Sequence, residues 1–218
     1  MFHLTVLNHL SYVNERPLVM GSKERIIRLK EETRTNILEA ACQIVKNEGW
    51  QALSMRKIAD LIEYTAPIIY EYFANKDAIL QELTRRGYCI LSQSLELARR
   101  EHEDPAQQLE AMWLAYWNFA FAEKEFYQLM FGVEVNCCVM QKSCPELETP
   151  GMLINSVIRE VMKEQNPTDE IIYQKYYTFL SVVHGLVSIN IVGNGLSDQI
   201  NNQILKDAIG GIIRSIKS

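Results

Sequence analysis

Apolar residues recur at spacings of three and four along nearly the whole chain, and strictly alternating stretches are scarce, which predicts helices. Residues 30 to 47 put Ile37, Ala41, Ile44 and Val45 on one face, and Asn47 and Gly49 end that helix. Two very short helices follow. Ser54 can N-cap the first, with Leu53 opposite Ile58 in the arrangement of a hydrophobic staple. Thr65 can cap the second through the N–H of Ile68, with Tyr64 and Ile69 in the same relationship. Pro67 falls at the second helical position, where a missing N–H costs nothing. Only Ile62, Glu63 and Tyr64 lie between these helices, so the two must cross steeply, as in a helix-turn-helix.

Asn75 can cap a long helix from Lys76 to Glu103, halted before Pro105 and placed to connect two halves of the protein. Pro105 opens a helix whose Leu109, Met112, Trp113, Tyr116 and Ala120 follow the three-four spacing, with Trp117 and Phe121 widening the apolar face. Residues 124 to 134 read as helix and 136 to 150 as loop. Helices are then expected over 150 to 165, 169 to 192 and 198 to 216, with Gly193, Asn194 and Gly195 closing the penultimate one. The sum is about nine helices in an all-α fold. Its expected divisions are an N-terminal extension (1–22), a three-helix head with the helix-turn-helix (23–75), and a helical ligand-binding and dimerisation body (76–218).

Composition narrows the class. The chain of 218 residues is 48% hydrophobic and 22% charged, enough apolar surface for a core without disulfide staples. No unbroken apolar run reaches the ~18 residues that span a bilayer, so no membrane association is expected. His3, Asn8, His9 and Asn14 interrupt the start and no export signal is legible. Met20 precedes the basic stretch Lys23, Arg25, Arg28, Lys30 and Arg34, so residues 1–19 read as an upstream extension or a misassigned start. The five cysteines, Cys42, Cys89, Cys137, Cys138 and Cys144, lack zinc-ribbon spacing and suit a reduced cytoplasm. Cys137, Cys138 and Cys144 could pair or hold a soft metal, but no histidine or acidic spacing supports a metal site, and neither metal nor cofactor is expected.

A net charge of −5 argues against indiscriminate coating of nucleic acid, while the basic residues gathered over 23–57 leave a local DNA-binding face open. Helix N-termini at Ser54 and Thr65, beside Met55, Arg56 and Lys57, present N–H groups toward phosphates. Ala66, Pro67 and Ile68 lead the third helix with small apolar surfaces suited to thymine methyl groups, and Arg56 can reach a guanine edge or a phosphate. Lys57 reads equally as a solvated face. Phe73, Ile58, Ala59, Ile69 and Ala41 read as core.

From Arg34 to Leu80 the chain resembles the TetR family of repressors. The resemblance rests on Ile37-Leu38, Ala40-Ala41, Gly49, Leu53-Ser54-Met55-Arg56-Lys57-Ile58-Ala59, Ile69-Tyr70-Glu71-Tyr72-Phe73 and Lys76. It implies that Tyr70, Tyr72 and Lys76 contact phosphates; packing within the head is the other reading of the tyrosines. Two positions depart from the usual pattern: Glu63 stands where the family commonly has glycine, and Pro67 replaces a frequent glycine. The family further implies a homodimer through the last two helices, where Ile204, Leu205, Ala208, Ile209, Ile212 and Ile213 form a stripe and Gly210 and Gly211 permit close approach or weaken the helix. Two copies about 34 Å apart would read a palindromic operator in double-stranded DNA.

The segment from Trp117 to Phe131 and Val183-His184-Gly185 resemble the family's tryptophan-histidine-glycine subgroup, with valine for tryptophan, and imply a sensory domain. Trp113, Tyr116, Trp117, Phe126, Tyr127, Met130, Tyr173, Tyr176, Tyr177 and His184 could wall a pocket for a lipophilic or aromatic effector, or be ordinary bundle core. His184 reads also as a hydrogen-bonded core histidine. An enzyme and a ligand-independent structural DNA binder are the competing classes. No nucleophile elbow, metal motif or usable carboxylate pair is present: Glu123 and Glu125 stand two apart and cannot share a helical face.

Overall fold

The structure, a computed structural model, describes residues 21–132, 145–192 and 195–218. The described residues form nine α-helices, which we number α1 to α9, and no strand. Cys137, Cys138, Cys144, Gly193 and Asn194 lie outside them, as does the N-terminal extension up to residue 20.

Helix α1 spans Ser22–Glu48 and begins eight residues ahead of the predicted start. Residues 21–32 are all exposed, so this stretch carries no buried stripe from which a helix could be recognised. Local interactions hold it instead. Glu24 accepts from the Gly21 N–H at 3.0 Å, Arg28 pairs with Glu32 at 3.4 Å, and the Thr33 hydroxyl donates to the Leu29 carbonyl at 2.9 Å. The far end stops at Gly49, whose φ of +82° suits glycine and whose N–H returns to Val45 O at 2.8 Å. A single 3₁₀ turn, Trp50–Ala52, leads on to α2 (Met55–Leu61) and α3 (Ala66–Tyr72).

Ser54 caps α2 as expected, accepting from Lys57 N–H at 3.2 Å. The turn after α2 is a Schellman motif: Tyr64 N–H reaches back to Ala59 O at 2.9 Å, and Glu63 holds the left-handed position with φ +59°. A residue with a Cβ pays roughly 1 kcal/mol for that conformation. The expected Thr65 side-chain cap is corrected here. Ile68 N–H bonds at 3.0 Å to the Thr65 backbone carbonyl, and the hydroxyl caps nothing. With this donor engaged and Pro67 lacking one, the first turn is largely satisfied without the side chain.

Helix α4 runs Lys76–Arg100, with Asn75 accepting from Ala78 N–H at 2.9 Å. It stops three residues short of the predicted Glu103 because Asp104, extended before Pro105, caps α5 (Pro105–Ala122) through Gln107 N–H at 3.2 Å. Helix α6 (Lys124–Phe131) ends at Gly132 rather than at 134. After a 3₁₀ turn at Pro145–Leu147 come α7 (Thr149–Val161), α8 (Asp169–Val192) and α9 (Asp198–Lys217). The helix expected to reach 165 finishes at Val161 and continues as a 3₁₀ turn, Lys163–Gln165.

Ile37, Ala41, Ile44, Ile58, Ala59, Ile69 and Phe73 close the head core. In the body, α4 packs on α5, α6 and α7, while α5 also meets α8 and α9. Trp113 stacks on Phe179 at 5.3 Å, anchoring α5 to α8. The apolar face of α5 is narrower than expected: Trp117 is half-buried and Phe121 exposed, their rings 4.6 Å apart at the surface. A charged chain joins head to body, from Arg34 to Glu82 at 3.1 Å, to Arg85 at 2.6 Å, to Glu146 at 3.2 Å. Burial pushes the Glu82 carboxyl up, but hydrogen bonds and charge from Arg85 and Arg34 outweigh it and hold its pKa below the usual carboxylate value.

Candidate functional site

Two features of the molecule have the makings of sites: the outer face of the helix-turn-helix, and a cleft where head meets body.

On the head, the buried side of α3 is Ile69, with Phe73 following it. Thr65, Pro67 and Tyr70 consequently face solvent; Tyr70 is 53% exposed, and Ala66 and Ile68 are half-buried beside it. Arg56 projects from α2, while the neighbouring Met55 is buried in the head core and leaves only backbone on that surface. Lys57 is ion-paired with Glu48, an arrangement that the reading of Lys57 as a simple solvated face did not contain. Tyr72 is half-buried and packs on the core, matching the packing alternative, whereas Tyr70 does not. Lys76 is half-buried, and its ammonium donates to the Trp50 carbonyl at 2.9 Å.

In the body, the ten aromatic-wall residues are not gathered round one cavity. Trp113, Tyr116, Phe126 and Met130 are packed as solid core. The fit is tight: a Cβ on Gly87 of α4 would stand 2.7 Å from Met130 Sδ. Tyr173 and Tyr177 lie on the outer face of α8, rings 4.6 Å apart, beside a shallow surface groove. Trp117 is at the surface with Phe121, and Tyr176 packs against Trp113 at 6.0 Å. Burial raises the pKa of Tyr116 well above the ordinary phenol value, and the neighbouring Tyr127 hydroxyl adds to the shift; Trp113 Nε1 has no hydrogen-bond partner among the described residues.

Tyr127 and His184 line a different and larger cavity. It holds about 980 Å³ between the end of α1, the start of α4, the last turn of α6 and the second half of α8. Its inner wall is Trp50, Lys76, Leu80, Tyr127, Phe131, His184, Ser188 and Ile191, none of them exposed. Glu48, Gln51, Asp77, Gln128 and Val192 stand exposed at its rim. The Tyr127 hydroxyl bonds to His184 Nδ1, and the Phe131 ring meets the imidazole edge-on at 5.4 Å. Burial pushes the Tyr127 hydroxyl up to about 12 and lowers the His184 pKa, so at neutral pH the phenol keeps its proton and the imidazole is neutral. The hydrogen-bonded histidine of the sequence reading is therefore also a cavity residue. Trp50, Leu80, Phe131, Ser188 and Ile191 were missed because four separate elements contribute them, each near its end.

Comparison with known proteins bears on both features. Residues 37–83 match the profile for bacterial regulatory proteins of the tetR family, and residues 109–205 match that for the tetracyclin repressor-like C-terminal domain. The chain belongs to the TetR family. The second match does not name the tryptophan-histidine-glycine subgroup. A curated relative, the HTH-type transcriptional activator FasR of Mycolicibacterium smegmatis, is 29% identical over 112 residues, 51% of this chain and 51% of its own. The chain spans about half the length of the curated relatives it matches. Among solved structures, a protein of unknown function from Rhodococcus sp. RHA1 aligns with TM-score 0.72 at 21% identity, covering 94% of this chain and 100% of that one. A TetR/AcrR-family transcriptional regulator from Thermobifida fusca aligns with TM-score 0.66 at 19% identity, covering 83% and 98%. At these identities the structures share the fold. TetR-family proteins and the relatives found are transcription regulators, which sets the enzyme reading aside.

Proposed function

We propose that this TetR-family protein is a homodimeric DNA-binding regulator that occupies a palindromic operator and is controlled by a small lipophilic or aromatic effector. The observation that carries the reading is the solvent-facing side of α3, where Thr65, Pro67 and Tyr70 stand clear of a head whose core is otherwise closed. A seven-residue helix with so few base-reading donors binds weakly alone, so the mechanism requires two copies. The contact set is Ser54, Arg56, Thr65, Ala66, Pro67, Ile68, Tyr70, Tyr72 and Lys76, with Met55 supplying backbone only.

The dimer seam is assigned to α8 and α9. Ser181, Gly185, Ile189 and Val192 fall on one stripe of α8, and Ile200, Ile204, Ala208 and Gly211 repeat the same spacing on α9. Ile189, Val192 and Ile200 are exposed in the single chain, and a Cβ at Gly185 would touch nothing, leaving room for a second pair of helices. Such burial supports a four-helix seam.

Repression by occupancy is the proposed direction: effector binding tilts α4 and changes the spacing of the two recognition helices. FasR is named an activator, so the sign needs its own readout. Selection of random DNA by the purified protein, followed by a promoter-reporter assay on the enriched site, tests both points. An enriched palindrome whose reporter rises on deletion of the protein supports the reading; absence of enrichment, with or without cell extract added, removes it.

A further inference from the structure

We propose that the cleft between head and body is a binding site for an amphipathic carboxylate, with the anionic group held by Lys76 and His184 and the apolar part laid against Leu80, Phe131 and Ile191. The inference deepens the effector reading above and rests on it for the consequence at DNA, though not for the binding itself.

A volume of about 980 Å³ stands at the upper end of the range for small-molecule sites, roughly 300–1,000 Å³. Among the described residues, Lys76 is the sole charged side chain on the inner wall. Both carboxylates of the lining, Glu48 and Asp77, are exposed at the rim, and Glu48 is already paired with Lys57. Inside, therefore, an anion finds an ammonium and, among the described residues, no competing acid.

The histidine adds a second donor. Where the Tyr127 hydroxyl donates to Nδ1, the neutral imidazole carries its own hydrogen on Nε2, for which there is no partner among the described residues. The Ser188 hydroxyl can donate as well, and the Trp50 carbonyl on the inner wall already accepts from Lys76. A wall made of donors selects an acceptor-rich anionic group, and the apolar remainder selects a hydrophobic tail.

The location gives the regulation. Lys76 is the first residue of α4, and its ammonium now ties that helix to the turn after α1. A carboxylate in the cleft draws the ammonium inward, away from the Trp50 carbonyl of the head, and bridges the start of α4 to α8. It thereby withdraws from DNA the lysine assigned to a phosphate, so ligand and operator compete for one side chain.

Octanoate, octan-1-ol and octylamine share one tail and differ in head charge, and calorimetric titration of each into the full-length protein reads the preference directly. Octanoate is expected to bind at least about tenfold more tightly than the alcohol, with octylammonium weakest, since a charge-assisted hydrogen bond is worth that much. Lys76→Met should abolish the preference, and Leu80→Trp, which fills the cleft from α4, should abolish saturable binding of all three. Octylammonium binding as well as octanoate, octanoate binding unaffected by Leu80→Trp, or no saturable octanoate binding overturns the proposal; the wild-type series decides even where Lys76→Met fails to fold. Octanoate binding by a protein that selects no operator would sink the regulator reading and leave the cleft standing, and operator selection without octanoate binding would do the reverse.

Discussion

The Lys76 ammonium donates to the Trp50 carbonyl oxygen at 2.9 Å, closing a loop of 26 residues that contains the entire helix-turn-helix. The first residue of the connecting helix is thus fastened to the turn that precedes the DNA-facing elements. A shift of α4 cannot leave α2 and α3 where they were unless this bond opens. The head and the body share a second tie through Arg34, Glu82, Arg85 and Glu146.

Tyr70 and Lys76 give the first prediction. Tyr70→Ala removes an exposed ring from α3 and should weaken operator binding about tenfold with the thermal midpoint unchanged. Lys76→Gln should lower the slope of log K against log salt by about one, as expected for the loss of one phosphate contact. Unchanged affinity for both at matched salt would take these residues off the contact list.

The turn residue Glu63 carries a Cβ in the left-handed conformation, φ +59°. Glu63→Gly should therefore stabilise the head by up to about 0.5 kcal/mol, the relief of strain less glycine's extra unfolded-state freedom. Urea denaturation checks it; a destabilised Glu63→Gly would mean that the side chain, rather than the backbone, sets the turn.

The Ser54 and Asn75 caps, the Pro67 placement and the cores of α1 to α3 follow from short-range chemistry, and the sequence pattern carries them directly. The start of α1 was hidden because a solvated helix held by Glu24 and an Arg28–Glu32 pair has no apolar period. The aromatic wall was misplaced for a different reason. Spacing says which residues share a helix face, and Trp113, Tyr173 and Tyr177 do lie on aromatic faces, but it cannot say whether a face meets another helix, solvent or a void. Tyr173 and Tyr177 ended outside and Trp113 in solid packing. The cleft draws on the termini of four elements, and such a site exists only once the helices are assembled.

The seam on α8 and α9 yields a prediction independent of DNA. Ile189→Glu combined with Val192→Glu places charge on the exposed stripe and should convert the dimer to monomer in sedimentation velocity, with helical content retained. A double variant that still sediments as a dimer would relocate the interface.

His184 should make stability depend on pH. Burial depresses its folded-state pKa below the unfolded value near 6.5, so the unfolded chain binds more protons. The contribution is complete above about pH 6.5 and is lost as pH falls toward the folded-state pKa. Urea midpoints at pH 7.5 and 5.5 should therefore converge more in His184→Asn than in the parent protein; an identical pH difference in both would show that this imidazole is not what titrates.

The central claim, that two copies of α3 read DNA together, is tested most directly by binding the purified protein to its selected site at several salt concentrations, and to the same site with its half-sites moved apart by half a helical turn. The account expects one dimer per site, affinity that falls steeply with salt, and loss of specific binding when the half-sites are rotated to opposite faces. Equal affinity for both spacings, or binding as a monomer, would contradict it.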